Sequence, residues 1–192
     1  MLSNFHITLI ASILAVFFSI SVAAQPSKGQ SIDVEIGYGI SIPYASSSDA
    51  IGSGFYAQGE YVLGITKWFG IRPYAGVILT WPDNNDNTFN QDNLEVTSRA
   101  FLIGGKIRLA APIPWVAPFV EFGIGASTGS FKNFDGSTEN IEKSGIIDHY
   151  PFTLGLAIGR NHNYEFSFAY YYQPEVEQFV GAITLGYSFP LD

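Results

Sequence analysis

Three observations predict an all-β chain that closes into an eight-stranded, antiparallel, up-and-down transmembrane β-barrel. The first is a period of two in bulky apolar residues that recurs in eight segments. The second is the opposite face of those segments, which is mostly Gly, Ala, Ser and Thr with scattered charges. The third is the connections, which alternate between short and long.

The first segment is Ser31 to Pro43. Ile32, Val34, Ile36, Tyr38, Ile40 and Ile42 share one face, and Asp33, Glu35, Gly37, Gly39 and Ser41 share the other. The second segment runs from Gly54, with Phe55, Ala57, Gly59, Tyr61, Leu63 and Ile65 on the apolar side. After a brief turn at Thr66 to Phe69, the third covers Gly70 to Trp81. Its Pro73 gives up a ladder hydrogen bond and is tolerable near a strand start. Pro82 to Ser98, rich in Asn and Asp, reads as a long loop.

The fourth strand, Arg99 to Leu109, sets Phe101, Ile103 and Ile107 against Ala100, Lys106 and Arg108. A tight connection leads to the fifth, Trp115 to Thr128, and a second long polar stretch then covers Gly129 to about Asp148. The sixth strand is Tyr150 to Arg160, the seventh Tyr164 to Gln173, and the eighth Phe179 to Phe189. The sixth and seventh are joined by the short turn Asn161-His162-Asn163, the seventh and eighth by Pro174 to Glu177. Connections after strands two, four and six are short and three of the other four are clearly longer, as when a barrel is inserted with its short turns on one side of a membrane.

Composition agrees. Aromatic residues make up 16% of the 192-residue chain and charged residues only 14%, which suits strands rather than a helical bundle. The absence of cysteine excludes a disulfide framework, and no cofactor or metal is expected. A formal charge of −8 argues against nucleic acid as a partner. Residues 1–24 read as a secretory signal peptide, apolar from Ile7 to Val22 and ending in small residues at Val22-Ala23-Ala24. Residues 25–30 would be a periplasmic lead-in, and residues 31–192 the barrel.

The direction of the two faces decides between lipid and water. A soluble lipocalin-like binder would turn its bulky face inward and carry long charged side chains outside. Here the small, charged face suits a narrow eight-stranded interior and the bulky face suits lipid. Trp68, Trp115, Tyr164, Tyr187 and Phe189 fall near the short-turn end, and Trp81 and Tyr170 near the other, as two headgroup-level girdles would. Inward-phase Glu35, Glu60, Arg72, Lys106, Arg108, Glu121 and Glu165 are expected to pair as an ion network that plugs the interior, because an unpaired buried charge is very costly.

The chain resembles the small eight-stranded outer-membrane barrels of the OmpA, OmpX and opacity-protein type. The likeness rests on the alternating first strand, Ile71-Arg72-Pro73-Tyr74-Ala75-Gly76-Val77, Pro118-Phe119-Val120-Glu121-Phe122-Gly123-Ile124-Gly125 and Leu185-Gly186-Tyr187-Ser188-Phe189. It implies residence in the outer membrane of a Gram-negative cell, with outer-membrane lipid, lipopolysaccharide and the barrel-insertion machinery as partners. A monomer is expected, since a closed sheet leaves no edge that needs a partner.

The expected role is non-enzymatic: envelope integrity, or adhesion through acidic loops that carry Asp49, Asp83, Asp86, Asp92, Glu95, Asp135, Glu139, Glu142, Asp148, Glu175 and Glu177. A small channel or a lipid A-modifying enzyme on the same barrel is the alternative. For the enzyme, His149 is the better-placed histidine, expected as a solvated rim residue with no His-x-Ser arrangement around it, and His162 is expected as a turn residue. The Asp83 to Asn87 stretch lacks the glycine and glutamate of a calcium loop.

Overall fold

A computed structural model describes residues 29–44, 51–82, 95–134 and 141–191. The residues assigned to a signal peptide, the Asp83 to Asn87 stretch, and loop acids Asp49, Asp86, Asp92, Asp135 and Glu139 lie outside the described residues. The eight strands are β1 (Gly29–Pro43), β2 (Gly52–Gly64), β3 (Phe69–Pro82), β4 (Glu95–Ala110), β5 (Val116–Phe134), β6 (Ile141–Ile158), β7 (Tyr164–Gln173) and β8 (Gln178–Leu191). Each pairs antiparallel with its sequence neighbour, and β1 pairs with β8 to close the barrel. Closure removes the free edges of the sheet through the barrel wall.

Side-chain direction follows the alternation. Ile32, Val34, Ile36, Tyr38 and Ile42 of β1 are exposed on the outer wall, as are Leu154 and Leu156 of β6 and Ile183 and Leu185 of β8. Asp33, Glu35, Glu60, Arg72, Lys106, Arg108, Glu121 and Glu165 are buried within. An apolar outside with a polar inside inverts a soluble protein and is what hydrocarbon demands of a barrel.

Strand lengths depart from expectation beyond the girdle level. Strand β1 starts at Gly29, two residues early, paired with Gly64. Strand β4 begins at Glu95, and β5 and β6 pair on to Asn133 and Ile141, so Gly129–Phe134 and Ile141–Asp148 are a hairpin arm rather than loop. Polar residues pair here because both faces of the arm need not meet lipid, so the hydrophobic signal fades while the ladder continues. Pro174–Val176 forms a single 3-10 turn whose Val176 is buried beneath the arm.

Candidate functional site: the filled lumen

The lumen is built in layers from the short-turn end. A cavity of about 80 Å³ opens there, lined in part by Gln30, Ser31, Lys67, Arg72, Arg108 and His162. His162 is a buried turn residue with φ 54°, and its imidazole Nε2 lies 3.0 Å from the Ile113 carbonyl, tying two turns together.

Above the cavity lies the charged layer. Arg72 reaches Asp33 at 2.8 Å, Glu60 at 2.9 Å, Glu165 at 3.4 Å and Glu121 at 3.5 Å. Lys106 bridges Glu60 and Glu121, the latter at 2.7 Å. Arg108 contacts Glu121 and Glu165, each at 2.5 Å, and its guanidinium stacks 3.5 Å from the Phe119 ring centroid. The ring of Phe119 fits because Gly155 lies beneath it; an added Cβ there would sit 2.3 Å from the ring. Strand register brings these groups together, since Arg72 is opposite Lys106 and Arg108 opposite Glu121.

Glu35 departs from the expected pairing. It is buried, yet its only side-chain partner among the described residues is Thr184, whose hydroxyl donates to Oε2 at 3.4 Å, and Oε1 has none. The reason is stoichiometric: three cations, Arg72, Lys106 and Arg108, serve five carboxylates, and the other four take them.

A tyrosine layer follows. Tyr171 donates to Gln58 Oε1 at 2.6 Å, Gln58 Nε2 donates to Glu60 at 2.7 Å, and the hydroxyls of Tyr56 and Tyr171 lie 2.7 Å apart. His149 is not at a solvated rim, as its sequence context suggests; it is fully buried. Its Nδ1 lies 2.6 Å from Ser127 Oγ, its Nε2 meets the Tyr74 hydroxyl, and its ring stands edge-on to Tyr171 at 5.2 Å. The arm explains the difference, because β5 and β6 carry the wall past residue 149.

Ser127 arrives from the neighbouring strand, 22 residues away, so no local motif announces it. The pair has no carboxylate hydrogen-bonded to it among the described residues, and Gln173 Nε2 occupies the serine at 3.2 Å. Tyr74, Ser127 and Gln173 thus hold the imidazole and the hydroxyl in a hydrogen-bonded chain inside the lumen.

Space for the imidazole comes from Gly125. A Cβ there would sit 2.4 Å from both His149 Nε2 and the Tyr74 hydroxyl, and 2.5 Å from the Ile103 carbonyl. Gly125→Leu is expected to destabilise the barrel by at least about 1–3 kcal/mol, because the backbone carbonyl cannot move aside. Urea unfolding of vesicle-reconstituted protein, followed by tryptophan fluorescence, measures the loss.

The long-loop end is apolar. Phe131, Ile147, Val176 and Val180 are buried together over the lumen, and Asn133 Nδ2 donates to the Val176 and Glu177 carbonyls, both at 3.1 Å. Outside this lid, Lys143 pairs with Glu175 and Lys132 with Glu95 at 3.2 Å. The Lys143 ammonium first, then the Asp148 amide, hold the Glu175 carboxyl below its ordinary value.

On the outer wall, Trp68, Trp115, Tyr164, Tyr187 and Phe189 are exposed at the short-turn end, where Tyr164 and Tyr187 meet edge-on at 5.2 Å. Trp81 is exposed at the other end beneath the Arg99 guanidinium at 5.7 Å, and Tyr170 packs 4.9 Å from Phe179.

Comparison with solved structures decides the architecture. Neisserial surface protein A matches with a TM-score of 0.59 at 9% identity, covering 85% of this chain and 97% of that one. The chain has the fold of the small eight-stranded outer-membrane β-barrels. Ail, the attachment invasion locus protein of Yersinia pestis, matches with a TM-score of 0.47 at 16% identity, covering 86% of this chain and all (100%) of that one. The outer membrane enzyme PagL matches with a TM-score of 0.47 at 14% identity, covering 83% and 99%. No family's sequence pattern matches the chain, and no curated protein matches it.

Proposed function

We propose that the protein is a non-enzymatic outer-membrane barrel, exported by residues 1–24, whose sealed lumen makes it an anchor. Its outer end presents the β5–β6 arm and acidic loops for surface interaction, with envelope integrity as the companion role. The observation that carries this reading is the filled interior, from the ion network at Arg72 up to the lid at Val176. Such a wall stabilises a scaffold without leaving a path for ions, and loops on rigid scaffolds are where recognition resides. The name of the Neisserial relative in fold, a surface protein, agrees with it.

Lipid and lipopolysaccharide are the partners that the outer wall suits, with the exposed aromatic rings at headgroup level. Insertion would run through the barrel-insertion machinery, and the barrel would stay a monomer because its wall is closed.

Purified protein in planar bilayers is expected to show no steady conductance. A steady current, lost on a bulky substitution at Gly123, overturns the anchor in favour of a channel. Cells making the protein are expected to adhere to host or neighbouring cells more than cells making a form with the β5–β6 arm cut back to a two-residue turn. Their lipid A, by mass spectrometry, should carry the same acyl chains with the wild type and with His149→Ala; a difference would make the barrel an enzyme.

A further inference from the structure

The cavity of about 80 Å³ at the short-turn end has a frame that is tied together before anything enters it. The Ala110 amide donates to the Trp68 carbonyl and the Gly159 amide to the Trp115 carbonyl, both at 2.9 Å, so the three short connections are linked through their main chains. The Ser188 amide reaches the Asn163 carbonyl at 2.7 Å, which adds β8. Within the β2–β3 turn the Thr66 hydroxyl oxygen accepts from the Phe69 amide at 3.0 Å and the Trp68 amide at 3.3 Å, holding the backbone around Lys67. Such a frame lowers the cost of ordering the site around a ligand.

Two groups in the lining are without a partner. Lys67 enters none of the ion pairs among the described residues. Arg72 and Arg108 also line the cavity, but acids deeper in the lumen match them, and Glu165, the lining's one carboxylate, is clasped by Arg108 at 2.7 Å. The unmatched charge is therefore positive. The second group is His162, 4% exposed and part of the same wall. A carbonyl can only accept, so its Nε2, 3.0 Å from the Ile113 oxygen, carries the proton of the neutral ring. Nδ1 then keeps its lone pair, and no donor meets it.

We propose that this cavity is a binding site for hydrogen phosphate. Its hydroxyl donates to His162 Nδ1, and its other oxygens accept from the Lys67 ammonium and the side-chain amides of Asn161 and Asn163, which flank the histidine in the lining. A water needs roughly 10–15 Å³, so a space of this size has room for a four-oxygen anion. The site lies at the opposite end of the barrel from the acidic arm. It goes beyond the surface-display reading and does not depend on it.

The lone pair sets the selectivity. Sulfate has the same shape but brings no proton, so it leaves Nδ1 buried and unpaired. The phosphodiester of a lipid headgroup fails for the same reason. A metal ion is the other natural partner for an imidazole whose second nitrogen is bonded to a carbonyl. Here, however, the lining has no free carboxylate to join it, and Lys67 repels it.

The test is titration calorimetry at neutral pH on protein in maltoside micelles, which carry no phosphate and leave both barrel ends open. Inorganic phosphate should bind about tenfold more tightly than sulfate or glycerophosphoethanolamine, the worth of roughly one hydrogen bond. Lys67→Gln should weaken phosphate and sulfate alike, by about fivefold. His162→Asn, chosen because Asn tolerates the backbone φ of 54°, should bring phosphate down to the affinity of sulfate. Heat-shifted mobility in SDS gels checks that each variant is folded; if His162→Asn is not, the ratio of phosphate to sulfate on wild-type protein decides.

Equal affinity for phosphate and sulfate would overturn the proposal and leave an unselective cationic end. Tighter binding of glycerophosphoethanolamine would overturn it in favour of a lipid headgroup, and zinc binding that His162→Asn abolishes would overturn it in favour of a metal. Phosphate binding that Lys67→Gln leaves unchanged would place the anion elsewhere, and no phosphate binding at all ends the proposal.

Discussion

Arg72→Leu is expected to lower the stability of the barrel by about 3–5 kcal/mol, as removal of one partner from a buried ion cluster does. Arg72 is the hub of the charged layer: its guanidinium lies within 3.5 Å of Asp33, Glu60, Glu165 and Glu121, all buried. Without it, five interior carboxylates face only Lys106 and Arg108. Asp33 then has no cation, because Arg72 is its one ionic contact among the described residues. The loss should appear as a lower urea midpoint for vesicle-reconstituted protein at unchanged slope. Glu35→Gln supplies the contrast, since Glu35 has no ion pair to lose and its removal lessens the acidic excess. It should change stability by no more than about 1 kcal/mol, in either direction. A Glu35→Gln loss as large as that of Arg72→Leu would show that the layer is not organised around the three cations.

The barrel itself was legible because lipid imposes one rule on every residue of the wall. Ile36, Leu79 and Phe168 must meet hydrocarbon, and Gly37, Glu60 and Ser167 must not, so the period of two survives in all eight strands. Above the lipid the rule lapses. The stretch from Ile141 to Asp148 faces water on its outer side and the lid on its inner side, and its sequence, IEKSGIID, could as well be loop. The strand is set there by ladder pairing with Gly129–Phe134, which leaves no compositional mark.

The charged layer was legible residue by residue from its inward phase, but its stoichiometry emerged only from register and reach. Alternation alone places Glu35 beside Glu60 and Glu121. Geometry gives Glu60 to Arg72 and Lys106, and leaves Glu35 with Thr184. The contact of Ser127 with His149 was illegible for a similar reason: it spans two strands whose shared height depends on how far the arm extends. Phe119, by contrast, carried a signal that went unused. Phe119 stands at an inward position with Gly155 as its cross-strand partner, and that glycine leaves the room its ring fills.

Ile36→Arg is expected to destabilise the barrel by about 2–4 kcal/mol, the magnitude for a cation placed on a lipid-facing wall at the bilayer midplane. Ile36 stands at the middle of β1, between Ala57 of β2 and Leu185 of β8, and is 57% exposed on the outer wall. Its neighbours offer no carboxylate, since the interior acids lie on the other side of the sheet. Tyr164→Arg, on the same wall but at the short-turn end, should lose only about 0–1 kcal/mol, because a guanidinium at headgroup level keeps its water and finds phosphate. The difference between the two, read from urea unfolding in vesicles, reports the depth of the wall directly. A barrel with water outside would give both substitutions nearly the same small effect, within about 0.5 kcal/mol, and the outward apolar belt would then need another explanation than lipid.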